Sequence, residues 1–150
     1  MPKETERKFL VKNRNFLQEV KEHFEIEQAY LCMNPVTRVR IKGDKAFFTV
    51  KSPSVDGGLT RNEWEWRISP GEARELMSLS PWKIIRKRRY VIPYDNYTVE
   101  VDVFSSPRKG LILAEIESPD GRFPGKLPAW IGEEVTGKEE FYNAYMAKYG

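Results

Sequence analysis

The chain has 150 residues, of which 31% are charged and 40% hydrophobic, and its formal net charge is +3. This length and composition indicate one globular, water-soluble domain spanning residues 1–150. No apolar run reaches the ~18 residues of a membrane span, and the small net charge does not indicate nucleic acid, so neither a membrane nor a nucleic acid is expected as a partner.

The single cysteine, Cys32, excludes an intrachain disulfide and fits a reducing compartment. The segment from Lys3 to Lys8 is highly charged, which excludes a secretory signal peptide there. We therefore expect the protein in the cytoplasm.

Alternating polar and apolar residues between turn signals predict eight strands. In chain order the predicted strands are 4–11, 27–33, 37–42, 45–51, 59–68, 82–92, 97–104 and 111–118. Helical spacing predicts three helices, at 15–24, 70–79 and 138–148, and Ser69-Pro70-Gly71-Glu72 carries the start signals of the second. The expected fold is α+β and β-rich, and eight antiparallel strands can close into a barrel that holds one small ligand.

Fifteen charged residues occur at i, i+2 spacing within these strands, so each set lies on one face of its strand. The acidic members are Glu4, Glu6, Glu63, Glu65, Glu100, Asp102, Glu115 and Glu117. The basic members are Lys8, Arg38, Arg40, Lys51, Arg61, Lys87 and Arg89. The opposite faces are largely apolar, which fits a barrel with a charged interior and helices packed outside. The same alternation also fits an open sheet with a charged face toward water.

The chemistry of the charges favours the enclosed arrangement. Exposed ion pairs contribute only about 0–1 kcal/mol each, so stability gives little reason to place so many charges in one register. Arg and Lys bind phosphate oxygens, whereas carboxylates need a hard divalent ion such as Mg²⁺ or Mn²⁺ to bridge to phosphate. A face rich in both signs therefore suits a metal–triphosphate complex, while a nucleic-acid face would be mainly basic.

The charged pairs follow one another as an ordered set of short motifs. The set runs E-x-E-x-K at 4–8, R-x-R-x-x-G at 38–43, Lys51, R-x-E-x-E at 61–65, K-x-R at 87–89, E-x-D at 100–102 and E-x-E at 115–117. This order resembles the CYTH domain family of the triphosphate tunnel metalloenzymes. The ending at 130–137, with Tyr142-Asn143, is similar to the short bacterial members.

The resemblance implies a closed eight-stranded antiparallel tunnel that hydrolyses triphosphates with Mg²⁺ or Mn²⁺. By position, it implies metal ligands at Glu4, Glu6 and Glu117, with Glu115 and Asp102 beside them. It implies a triphosphate-binding set of Lys8, Arg38, Arg40, Lys51, Arg61, Lys87 and Arg89. Glu63 and Glu65 are candidates to orient the attacking water, and Lys87 and Arg89 to neutralise charge on the transferred group.

The most favoured function is hydrolysis of inorganic triphosphate with release of phosphate. An adenylate cyclase or a thiamine triphosphatase on the same scaffold stays open, as does a polyphosphate-binding module without turnover. One metal or two, and a monomer or a homodimer, are equally compatible with the sequence. Lys138 is either a surface charge or a cation at the tunnel mouth, and Arg86 and Arg88 are expected to point away from the charged face.

Overall fold

The computed structural model describes residues 3–53, 56, 60–118 and 120–150, with the side chains of residues 3, 4 and 60 outside that description. Nine strands and two α-helices lie within these residues. The strands are β1 Lys3–Val11, β2 Glu22–Met33, β3 Val36–Lys42, β4 Lys45–Lys51, β5 Thr60–Ile68, β6 Ile85–Tyr94, β7 Tyr97–Ser106, β8 Ile112–Glu117 and β9 Ile131–Glu134. The helices are α1 Pro70–Met77 and α2 Asn143–Tyr149.

The strands form an antiparallel sheet in the order β5-β4-β3-β2-β6-β7-β8-β1-β9. β5 also pairs with the start of β1, where Glu4 lies opposite Arg61. The prediction of an α+β, β-rich fold is confirmed. The short strand β9, which pairs with β1, was not predicted.

The predicted helix at 15–24 is wrong. Only Asn15–Glu19 is helical, as a 3₁₀ turn that buries Phe16, and β2 already begins at Glu22. Residues 22–28 pair residue by residue with β6, so the backbone ladder outweighs the local helical spacing. His23, expected on a surface helix, is therefore an exposed strand residue.

The apolar face of the sheet is covered in two places. The first core cluster contains Phe9, Val99 and Ile116, with Phe16 and Trp130 packed over them. The second lies beneath α1, where Ala73 and Met77 meet apolar residues of β2, β3 and β4. α1 begins as predicted, with a capping box in which the Ser69 hydroxyl accepts from the Glu72 backbone N–H. Among the described residues no helix has both the length and the apolar character to traverse a bilayer.

The last helix lies on the other face, contrary to the prediction that all helices pack outside. It is also shorter than predicted, because Tyr142 is extended and separates α2 from a 3₁₀ turn at Glu139–Phe141. Met146 of α2 packs with Ile85, Phe104 and Leu113. These three strand residues share their strand faces with Lys87, Asp102 and Glu115, as i, i+2 spacing requires. α2 thus covers one end of the charged face.

Candidate active site

The charged face borders a cavity of about 250 Å³. This is below the roughly 300–1,000 Å³ of most organic-ligand pockets and suits a compact ligand. Of the lining side chains that the structure describes, eight are basic and six acidic. They are Lys8, Arg38, Arg40, Lys42, Lys51, Arg61, Lys87 and Arg89, and Glu6, Glu63, Glu65, Glu100, Glu115 and Glu117.

Thirteen of the fifteen charged residues singled out in the sequence line this cavity. The side chain of Glu4 lies outside the described residues, although its backbone is part of β1. Asp102 is almost fully buried behind the cavity wall. The i, i+2 spacing therefore identified which charged side chains share a face of each strand, and in the structure thirteen of them line one cavity.

Three carboxylates converge at one side of the cavity. Glu6, Glu115 and Glu117 each contribute an oxygen, and the three oxygens lie within 4.8 Å of one another. The pairing of β1 with β8 causes this, because it sets Glu6 directly opposite Glu117. Like charges placed opposite one another on paired strands are destabilising. Three oxygen ligands at this spacing suit a hard divalent cation, so the residues fit the metal that the motifs imply.

Glu115 is ionised despite being buried. Burial alone would raise the pKa of its carboxyl, but Lys8, Arg89 and Lys87 hold that pKa well below its usual range. The Lys8 ammonium lies 3.5 Å from Glu115 Oε1 and also donates to the Phe141 carbonyl at 3.1 Å. Burial lowers the Lys8 pKa, but Glu115 and Glu6 outweigh it and the net pKa is raised. Glu115 and its neighbouring cation Lys8 therefore keep their charges inside the protein.

Asp102 holds two cations of the cavity wall in place. Its oxygens accept from Arg89 Nε at 2.8 Å and Arg89 Nη2 at 2.9 Å, and Lys87 Nζ lies 2.7 Å from Oδ2. Arg89 Nη1 also lies 3.3 Å from Glu100. Burial opposes ionisation of Asp102, but Arg89 and Lys87 together lower its pKa to about 2. Asp102 is not one of the three converging carboxylates, and its own oxygens contact Arg89 and Lys87.

The remaining cations present donors to the cavity. Arg38 Nε and Arg61 Nε are buried and have no hydrogen-bond partner among the described residues. A buried guanidinium donor without an acceptor is costly, and a phosphate oxygen is an acceptor of the required kind. These donors fit a polyanionic ligand.

The start of α2 completes the cavity wall. Lys87 Nζ donates to Asn143 Oδ1 at 3.1 Å. The Tyr142 ring centroid lies 5.2 Å from Lys8 Nζ and 5.0 Å from Arg61 Cζ. Aromatic faces attract cations, so Tyr142 helps to hold both side chains.

Six residues that line the cavity were not predicted from the sequence. Lys42 extends the Arg38 and Arg40 spacing by one more step, so strand geometry alone could have placed it in the wall. The other five are uncharged and carry no comparable signal: they are Tyr30, Val36, Tyr142, Asn143 and Ala144. Gln28, which lies behind the wall, was also not predicted. Gln28 is fully buried and contacts two lining residues, Arg40 and Tyr30.

The alternating basic residues of β6 divide as predicted. Arg86 and Arg88 point away from the cavity, where they pair with Glu27 and Glu25 of β2 at the surface. Lys138 is exposed and pairs with Glu133 at 3.0 Å, so it is a surface charge in this structure.

A carboxylate triad lies beside buried arginine and lysine donors on one face of an antiparallel sheet, and these residues fit a divalent metal and a polyanion. The sequence profile of the CYTH domain matches residues 2–136, and the chain belongs to the CYTH domain family. This confirms the family predicted from the motifs.

Named relatives match over nearly the whole chain. An inorganic triphosphatase of Acetivibrio thermocellus is 37% identical over 99% of this chain and 95% of its own. An inorganic triphosphatase of Nitrosomonas europaea is 33% identical over 96% of each chain. A crystal structure of an inorganic triphosphatase superposes with a TM-score of 0.68 at 29% identity, covering 95% of this chain and 96% of the other.

Proposed function

We propose that this chain is a divalent-metal-dependent enzyme that hydrolyses inorganic triphosphate and releases phosphate. One observation carries the proposal: the carboxylates of Glu6, Glu115 and Glu117 line the same cavity as arginine and lysine side chains, which can bind phosphate. The two relatives named inorganic triphosphatase, at 37% and 33% identity over nearly the whole chain, support it.

The strands would form a closed tunnel around the ligand. The pairing of β5 with β1 supports this closure, because these strands otherwise lie seven places apart in a nine-stranded sheet order. Closure would surround the triphosphate with protein groups and exclude bulk water, which strengthens each charge interaction. In this proposal, residues 1–150 form one catalytic domain.

In the proposed site, Glu6, Glu115 and Glu117 hold Mg²⁺ or Mn²⁺, and Glu4 is a further candidate ligand. When bound, the ion neutralises charge on phosphate oxygens and polarises them. The cations bind the remaining oxygens of the triphosphate; they are Lys8, Arg38, Arg40, Lys51, Arg61, Lys87 and Arg89. We assign Asp102 a positioning role, because its oxygens are engaged by Arg89 and Lys87.

Hydrolysis forms a bond between a water oxygen and the terminal phosphorus and breaks the bridging P–O bond, yielding phosphate and diphosphate. Glu63 and Glu65 lie on β5 in the cavity wall and would orient this water by accepting its hydrogen bonds. Lys87 and Arg89 would stabilise the charge that develops on the transferred and leaving groups.

The purified protein is expected to release phosphate from tripolyphosphate with Mg²⁺ or Mn²⁺ and to lose this activity in excess EDTA. A phosphate assay should compare tripolyphosphate, diphosphate, ATP and thiamine triphosphate, with cyclic nucleotide measured in the ATP reactions. Greater turnover of ATP to cyclic nucleotide, or of thiamine triphosphate, would contradict the proposed substrate. Tight tripolyphosphate binding without phosphate release would indicate a binding module.

The pH dependence of binding should report on Lys87. Burial lowers the pKa of its ammonium to about 7, and Arg89 and Arg40 act in the same direction while Asp102 opposes them. A bound polyanion would raise that pKa, so binding above pH 7 requires proton uptake. Affinity for tripolyphosphate is therefore expected to fall as pH rises above 7, by up to about tenfold per pH unit.

Calorimetry of tripolyphosphate binding, in buffers of different ionisation enthalpy, measures this proton uptake. The ligand's own protonation is common to all variants, so the comparison is with Lys87→Arg, which stays charged. That variant should take up fewer protons at pH 8, whereas the surface control Lys45→Arg should match wild type. Equal proton uptake by wild type and Lys87→Arg would contradict the assignment.

A further inference from the structure

Gln28 is an uncharged side chain buried beside the charged cavity. It lies in β2 directly opposite Arg40 of β3, and its side chain is completely shielded from solvent. Arg40 Nε donates to Gln28 Oε1 at 2.9 Å, and Gln28 Nε2 donates to the Tyr30 hydroxyl at 3.2 Å. Both neighbours line the cavity, so one buried amide connects two of its wall residues.

The orientation of this amide follows from the chemistry of its partners. A guanidinium has only donors, so the Gln28 oxygen must face Arg40. The amide nitrogen then faces Tyr30 and uses the phenol oxygen as an acceptor. The Tyr30 O–H consequently points away from this amide nitrogen, which has no free acceptor site. The three side chains therefore form an ordered sequence of donors and acceptors rather than a set of interchangeable contacts.

Two arginines of the cavity wall, Arg89 and Arg40, are held in different ways. Arg89 is bound by both oxygens of Asp102 and by Glu100, so its charge is largely balanced within the protein. Among the described residues, Arg40 is instead held by a neutral amide, and no carboxylate lies within ion-pairing distance of it. Burial, Arg38 and Arg89 lower the Arg40 pKa to about 10, which agrees with a cation that lacks a full counter-charge.

We propose that Gln28 is a positioning residue that fixes the Arg40 guanidinium through a neutral hydrogen bond and so leaves the full positive charge of Arg40 available to the phosphate chain. This inference rests on the proposed function, because it takes a polyphosphate as the ligand. An acid at position 28 would fix Arg40 equally well but would compete with the ligand for its charge. A shorter or apolar residue would leave the guanidinium without its anchor.

The test is Gln28→Glu, which keeps the shape and the acceptor but adds a negative charge. We expect the free energy of unfolding to be unchanged or higher and kcat to change little. KM, and the Kd for tripolyphosphate from calorimetry, should rise about ten- to a hundredfold, the range for hydrogen bonds to charged groups. The exposed Gln18 provides a control, since Gln18→Glu adds the same charge at the surface and should leave both constants unchanged.

A double-mutant cycle separates this role from a structural one. In an Arg40→Met background, Gln28→Glu should have little further effect on tripolyphosphate affinity, because its action passes through Arg40. Gln28→Met should weaken affinity and also lower stability, and it provides a second variant if Gln28→Glu folds poorly. An unchanged Kd in Gln28→Glu, or an equal loss in both backgrounds, would overturn the inference. Because binding is measured without turnover, the two proposals can fail separately. A protein that binds tripolyphosphate but does not hydrolyse it would refute the proposed function and leave the role of Gln28 intact.

Discussion

Replacing Glu6 with glutamine is expected to lower metal-dependent phosphate release by about a thousandfold or more. A bound divalent ion contributes several kcal/mol of transition-state stabilisation, and about 1.4 kcal/mol corresponds to a factor of ten in rate. Glu6 is one of three carboxylates whose oxygens lie within 4.8 Å of one another, so its loss removes a ligand without changing side-chain size. Initial rates over a range of Mn²⁺ and Mg²⁺ concentrations measure the effect.

The same substitution should act differently on stability. In the metal-free protein, one repulsion with Glu117 across the β1–β8 ladder disappears, so the melting temperature should be unchanged or higher. The increase in melting temperature on adding Mn²⁺ should be largely lost. Glu25→Gln is the matched control, because Glu25 pairs with Arg88 on the outer face and should leave both activity and the Mn²⁺ response intact. A full Mn²⁺-induced shift in Glu6→Gln would refute the metal assignment.

Asp102→Asn is expected to cause the largest loss of stability, about 3–5 kcal/mol, because it leaves two buried cations without their counter-charge. Asp102 is 2% exposed and contacts Arg89 at 2.8 Å and Lys87 at 2.7 Å. Tripolyphosphate should recover part of the loss by supplying negative charge to the same two side chains. Urea unfolding with and without tripolyphosphate measures both effects, and Asp44→Asn in an exposed turn is the control.

Low pH should reduce the difference between wild type and Asp102→Asn. The Asp102 pKa is lowered from 3.8 to about 2, so its ionised form contributes stability above pH 4, and this contribution is lost as pH falls from about 4 to about 2. The two unfolding free energies should therefore differ most at neutral pH and converge toward pH 2. A difference that is independent of pH, with no response to tripolyphosphate, would show that Asp102 acts through packing alone.

The charged residues of the cavity could be predicted from sequence because strand geometry is local. Side chains two apart share a face, so Lys87 and Arg89 point inward whenever Arg86 and Arg88 point outward, whatever surrounds the strand. What packs against each face depends on distant parts of the chain. The position of α2 on the inner face was therefore not predictable from its own apolar residues.

Neutral cavity residues were missed for a related reason. Gln28 and Tyr30 lie on the inner face of β2, but an isolated glutamine in an apolar strand carries no chemical signal. Its role depends on Arg40 lying directly opposite, which the pairing of β2 with β3 decides. The start of β2 was misassigned because residues 22–24 are extended through their pairing with β6.

A hydrogen bond from Lys8 in β1 reaches a residue that is translated much later, so the order of synthesis determines when it can form. Its ammonium donates to the Phe141 carbonyl, 133 positions later. Ribosomes add roughly 5–20 residues per second, so roughly 7 to 27 seconds separate the two residues during translation. The first strand therefore leaves the ribosome well before the residues that hold Lys8 in place, and this part of the cavity wall cannot be complete until residues 141–143 have emerged.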